Sequence, residues 1–223
     1  MKEQIKPGFF GRTVFADGKR VEFDSRNGQI LHSRKCPDIV FFGDSITQHW
    51  ELELYFNPTV LKINRGIGND TTVYGAKRFV ADVLQFDPKA VVILMGINDL
   101  LTMAPDLWKR TKGAEPDKVI SEIESNFRNM LSKCGGIKIY LCSVLPQSLC
   151  PPYDREFFDR NIVRTNEMLK SLCKEFGAEY VDYYGAMAQD GLLPDAYTYD
   201  GVHPNAQGYE IMANVLKGKV GIL

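Results

Sequence analysis

Histidine is scarce in this chain: His32, His49 and His203 are the only three among 223 residues. Any chemistry that needs an imidazole must choose among them. The five cysteines (Cys36, Cys134, Cys142, Cys150 and Cys173) are odd in number and widely spaced, and no C-x-x-C pair occurs. That spacing supports neither a disulfide framework nor a zinc site. Charge of either sign is not in surplus either. A formal net charge of −1 removes the electrostatic case for a nucleic-acid or anionic-membrane partner. No apolar run approaches the ~18 residues that a membrane-spanning helix needs. The opening MKEQIKPGFF lacks the apolar centre of a signal peptide, so a cytoplasmic location is the expectation. Neither G-x-G-x-x-G nor P-loop spacing occurs, which weighs against a flavodoxin-like nucleotide or FMN binder. What remains is ordinary: 44% hydrophobic and 25% charged residues, as in a soluble globular protein.

The chain from Pro37 onward alternates between two patterns. Apolar, β-rich runs occur at 38–43, 59–63, 89–95, 137–142 and 179–182. Helical periodicity fills the intervals 71–84, 117–133 and 155–176, and a last helix follows Pro204 over 205–217. Asp70 is read as the N-cap of the first of these, and Gly177 closes the third. Five short strands joined by helices imply right-handed crossovers and a parallel sheet covered on both faces, and a strand order of 2-1-3-4-5 is the working expectation. The expected architecture is one doubly wound α/β domain over 37–223. Residues 1–36 are less legible. Thr13-Val14-Phe15 and Val21-Glu22-Phe23 flank Asp17-Gly18, so the arm is expected to form a small β-hairpin packed on that domain.

Sites in such sheets lie outside the carboxyl ends of the strands. Three polar or glycine-rich turns fall there: Gly43-Asp44-Ser45, Asn64 to Asp70, and Gly96-Ile97-Asn98-Asp99. Ser45 stands where an apolar strand turns through glycine into a helix. Alone, it reads first as a helix N-cap and only second as a nucleophile. A serine hydroxyl becomes nucleophilic when an adjacent base takes its proton, and that base needs an orienting carboxylate. His49 lies about a turn down the helix from Ser45, and His32 lies in the amino-terminal arm. His203 stands in Asp200-Gly201-Val202-His203-Pro204, a loop before a helix, where catalytic side chains concentrate. The long connection 183–199 can carry Asp200 and His203 back from the fifth strand to the first. Donors for an oxyanion are available from the Ser45 N–H at the helix start, the backbone at Gly66 and the Asn98 amide. Asp44 and Asp99 are read as residues that stabilise their turns.

These four segments resemble the four blocks of the SGNH, or GDSL-type, hydrolases, in that family's order, across residues 37–208. The resemblance implies a three-layer flavodoxin-like α/β/α fold and hydrolysis of carboxylic esters through an acyl-enzyme. It implies Ser45 as nucleophile and first oxyanion donor, Gly66 and Asn98 as further donors, Asp200 as orienter and His203 as base, with no metal or organic cofactor. A small-molecule ester, short-chain and acetyl in particular, is the expected substrate. Carbohydrate deacetylases of the family suggest an acetylated sugar. A thioesterase or lysophospholipase acting on longer acyl chains is the alternative, and a non-catalytic binding protein on the same fold is the reading from another class. Specificity is expected from the loops at 100–116, 143–154 and 183–199, with Trp50, Trp108, Tyr183, Tyr184, Tyr197 and Tyr199 as candidate pocket aromatics. A homo-oligomer stays open.

Overall fold

The computed structural model describes residues 3–11, 13–105, 112–149 and 154–221. Helix α1, Val14–Ser33, leads into strand β1, Ile39–Gly43. Two short helices, α2 (Ser45–Gln48) and α3 (Leu52–Tyr55), connect it to β2, Lys62–Gly66. Helix α4 (Thr72–Asp82) and a 3-10 turn precede β3, Ala90–Leu94. The short α5 (Ile97–Leu100) and the long α6 (Pro116–Leu131) lead to β4, Lys138–Cys142. Helix α7 (Arg155–Phe176) precedes β5, Glu179–Val181, and α8 (Tyr183–Met187) and α9 (Ala206–Lys217) close the chain. All pairings are parallel, in the order β2-β1-β3-β4-β5.

The apolar runs that announced β1 and β3 are buried along their whole length, as strands covered on both faces must be. Phe41, Phe42, Val91, Ile93 and Leu141 form the centre of a continuous core that reaches Phe79, Phe127 and Leu169 on one face and Met187 and Met212 on the other. β1→β2 and β2→β3 run in opposite lateral directions. Right-handed crossovers therefore put α2 and α3 on one face and α4 on the other. Helix α9 joins the first layer, where Tyr209 Oη donates to the Ile46 carbonyl at 2.7 Å and its ring stacks on Trp50. β2 begins three residues later than the apolar run at 59–63 suggested, because the ladder continues through the polar Asn64 and Arg65.

The expected hairpin at 13–23 is a helix. Thr13 caps it, its Oγ1 accepting the Ala16 N–H at 3.0 Å, and Asp17 sits in the first turn. Its buried stripe runs through Ala16, Arg20, Phe23 and Asn27, a helical spacing carried half by polar residues. Apolar periodicity therefore misses it, and Asp17-Gly18 reads as a turn when it is helix interior. Asn27 is satisfied by α4 and β2. Asn27 Nδ2 donates to the Ala81 carbonyl and to Asp82 Oδ1, and Arg65 donates to Asn27 Oδ1. No described helix is long and apolar enough to cross a membrane.

Candidate active site

β1 ends on Gly43, and a side chain there would collide with Thr47 Oγ1 at 2.1 Å and the Leu94 carbonyl at 2.4 Å. Only glycine permits the chain to turn this sharply from strand into α2. The N-cap is Asp44, whose Oδ1 accepts the Ile46 N–H at 3.0 Å. Ser45 is therefore the first helical residue and not the cap, and its hydroxyl is free for other work. Its Oγ lies 2.8 Å from His203 Nε2, and His203 Nδ1 lies 2.6 Å from Asp200 Oδ2.

The geometry of that line is built locally. Asp200 Oδ1 accepts the N–H groups of Val202 and His203, at 2.9 and 2.8 Å. Gly201 takes φ +85°, a conformation that favours glycine. Thr198 Oγ1 donates to the His203 carbonyl at 2.7 Å and accepts the Gly201 N–H at 3.0 Å. Partial burial pushes the Asp200 carboxyl upward, but the hydrogen bonds from His203 and Val202 outweigh it and hold the group below its ordinary value. The Tyr199 ring stacks on His203 at 5.6 Å, and the His49 ring lies 5.5 Å from it on a tilted plane. Burial and the neighbouring His203 lower the His49 pKa. The connection 183–199 contains α8, the bridge of Gln189 with Leu192 and a 3-10 turn at Asp195–Tyr197. These structured steps carry the loop back from β5 to β1.

A serine hydroxyl on an imidazole whose other nitrogen is held by a carboxylate is an arrangement that can transfer the serine proton. Donors surround it. The Ser45 N–H, at the first position of a helix, has no intrahelical acceptor. Asn98 sits at the start of α5 behind Gly96, which has φ +124°. One hydrogen of its amide goes to the Asp70 carbonyl, at 3.0 Å, which leaves the second for a ligand.

Gly66 departs from expectation. Its N–H donates to Asn64 Oδ1 at 2.8 Å, and its Cα faces the Gln48 backbone, which a Cβ would meet at 2.1 Å. The glycine is required for packing β2 against α2, and its donor is already engaged. Further along the turn, Ile67 N–H goes to the Gly43 carbonyl, Gly68 N–H to Gln48 Oε1 at 2.7 Å and Asp70 N–H to the Ile67 carbonyl. Between them stands Asn69, at φ +63°, whose N–H has no partner among the described residues. Nothing in the residue type marks it out. The signal was its place in a glycine-rich turn, where asparagine is the side-chain residue that best tolerates a left-handed backbone.

Beneath the site runs a buried ionic chain. Asp70 does not cap α4. Its carboxylate receives Arg20 of α1 at 2.6 Å and Arg78 of α4 at 2.7 Å, all three side chains being at most 1% exposed. Arg78 also donates to the carbonyls of Gly43 and Arg65, tying together the carboxyl ends of β1 and β2, and pairs with Asp82. Asp99 accepts the Thr72 N–H and hydroxyl and so fixes the start of α4. Asp44 Oδ2 is buried with no hydrogen-bond partner. Burial, reinforced by Asp99 and Asp70, raises its pKa to about 7 against the opposing Ile46 N–H and Arg78.

Of the candidate pocket aromatics among the described residues, Tyr199 alone stacks on His203. Trp50 and Tyr183 are buried in the core, and Tyr184 donates to Asp159. Trp108 and Cys150 lie outside the described residues. Among the described residues no group of three or more His, Cys, Asp or Glu side chains is gathered as a metal site would require.

The GDSL-like Lipase/Acylhydrolase family profile matches residues 41–211. A crystal structure of a GDSL-like lipase from Bacteroides thetaiotaomicron superposes with a TM-score of 0.71 at 31% identity, over 93% of this chain and 98% of that one. An acetylxylan esterase from Xylanibacter ruminicola is 26% identical over 151 residues, 62% of this chain and 30% of that protein. An acetylxylan esterase from Geobacillus stearothermophilus is 23% identical over 161 residues, 71% of each chain. The chain thus spans less than a third of the length of the Xylanibacter protein it matches.

Proposed function

We propose that this chain, which belongs to the GDSL-like lipase/acylhydrolase family, is a serine esterase that hydrolyses short-chain carboxylic esters, acetyl esters first among them. The observation that carries this reading is the line from Ser45 Oγ through His203 to Asp200, at 2.8 and 2.6 Å, assembled from residues 158 positions apart in the chain. His203 Nε2 accepts the Ser45 proton as Oγ attacks the acyl carbonyl. Asp200 holds the ring and offsets the charge it gains. The oxyanion is received by the Ser45 N–H, the Asn98 amide and the Asn69 N–H, the last in place of Gly66, whose own N–H is engaged. The alkoxide departs with the proton from His203. A water then gives a proton to His203 and attacks the acyl-enzyme, and His203 passes that proton to Ser45 Oγ as the acid is released. The acetyl preference is supported by likeness to acetylxylan esterases, which makes an acetylated carbohydrate the first alcohol portion to test.

The test is a series of p-nitrophenyl esters from acetate to octanoate on the parent and on Ser45→Ala. Expected are a fall in kcat/KM with chain length in the parent and at least a 10³-fold loss in the variant. A rise with chain length would instead support a long-chain acylhydrolase. Undiminished turnover by Ser45→Ala would remove the nucleophile.

A further inference from the structure

Helix α1 lies outside the segment that matches the family profile, yet it reaches the reaction centre. A Cβ placed on Gly68 would lie 3.3 Å from Phe15 Cε1 and 3.8 Å from Ser45 Cβ. The edge of the Phe15 ring, Gln48 Oε1 (3.4 Å from the same point) and the Ser45 side chain thus converge on the space beside Gly68. Phe15 is 51% exposed, so an aromatic face is presented to solvent where an ester must approach. Its position is well anchored. One turn on, Arg20 is 1% exposed and clamped between Asp17 and Asp70. Asp17 in turn accepts the N–H groups of Phe10 and Gly11, and the Phe10 ring lies under the Arg20 guanidinium at 4.5 Å.

The direction of approach decides what Phe15 faces. The departing alkoxide takes its proton from His203 Nε2, so the alcohol portion of the ester stands on the His203 side of the reacting carbon. His203 comes from the segment before α9, in the layer that holds α2. Helix α1 is bonded to α4, in the opposite layer. With the oxyanion directed at Asn69 and Asn98, the acyl chain is left the direction away from His203, toward Gly68 and Phe15.

Resting on the esterase reading above, we propose that Phe15 is a specificity-determining residue that walls the acyl side of the Ser45 site and restricts the acyl group to acetyl size. Each methylene beyond acetyl would have to pass the ring or displace it, and pockets discriminate by roughly 10- to 200-fold per methylene when the wall is rigid. A half-exposed ring yields more readily, so the effect falls below that range, at about 5- to 10-fold for the two added methylenes of butyrate.

The experiment measures kcat/KM for p-nitrophenyl acetate, butyrate and octanoate on the parent, Phe15→Ala, Phe15→Trp, Val21→Ala and Ser45→Ala. Val21 is an exposed residue of the same helix away from this contact, and it controls for disturbance of α1. Expected are a butyrate-to-acetate ratio raised about 5- to 10-fold in Phe15→Ala, lowered in Phe15→Trp and unchanged in Val21→Ala. A ratio that stays at the parent value in both Phe15 variants overturns the proposal while leaving the esterase reading intact, and so does an equal shift in Val21→Ala. Activity that survives in Ser45→Ala, or a parent inactive on every ester, overturns the esterase reading and the proposal with it. Should Phe15→Ala fail to fold, Phe15→Trp reads the same ratio in the opposite sense.

Discussion

At Asn69 a residue with a side chain occupies φ +63°, a conformation that costs other non-glycine residues roughly 1–2 kcal/mol. What the turn gains is an N–H with no partner of its own, set between donors that are all engaged. If that N–H meets the oxyanion, the side chain is incidental and the backbone is not. Asn69→Gly should retain at least half of kcat. Asn69→Val, whose branched side chain resists a left-handed backbone, should lose tenfold or more, and steady-state kinetics separates the two. Equal rates in both variants would move the donor elsewhere. Asn98 is the complementary case, since the donor it offers is a side-chain amide. Asn98→Ala should lower kcat by about 10²- to 10³-fold with a small change in KM, and a pure KM effect would assign Asn98 to ground-state binding. The hydrogen-bonded line of Ser45, His203 and Asp200 was legible in the sequence because each is a reactive residue type in a punctuated turn, and only three histidines competed. Asn69 was not legible, because a free backbone N–H belongs to no residue type and is revealed only by where its neighbours' N–H groups go.

Among the elements, the parallel strands β1 and β3 were the easiest to read, since burial on both faces demands unbroken apolar runs such as Ile39–Phe42 and Ala90–Leu94. Helix α1 was the hardest for the opposite reason. Its buried stripe is Asp17, Arg20 and Asn27 as much as Ala16 and Phe23, and hydrophobic periodicity is blind to a helix held by ion pairs. That mode of attachment has an energetic signature. Arg20→Met preserves much of the side chain's volume but leaves Asp70 with one cationic partner in place of two. Breaking a buried pair from one side costs about 3–5 kcal/mol. The midpoint of urea unfolding should fall accordingly, with the slope unchanged if the transition stays two-state. A loss below 1 kcal/mol would mean that α1 is held mainly by Phe23 and Ala16.

For the molecule as a whole, the polar floor under the sheet's carboxyl edge makes stability depend on pH in a direction opposite to that of an ion-paired aspartate. Asp44 has its Oδ2 buried without a partner and a pKa raised from 3.8 to about 7. Between roughly pH 4 and pH 7 the unfolded chain releases this proton while the folded protein keeps it. The unfolded state therefore binds fewer protons there, and the contribution of this group to stability falls as pH rises. Above about pH 7 the deficit is complete, on the order of 4 kcal/mol. Asp44→Asn keeps the oxygen that accepts the Ile46 N–H and removes the ionisation. Its stability relative to the parent should therefore rise between pH 4.5 and pH 8 by a few kcal/mol. Urea unfolding of both proteins at the two pH values measures this directly, since every other titrating group is common to the pair. A difference that does not change with pH would show that Asp44 ionises in the folded state as readily as in the unfolded chain, with its charge accommodated by Arg78 and the Ile46 N–H.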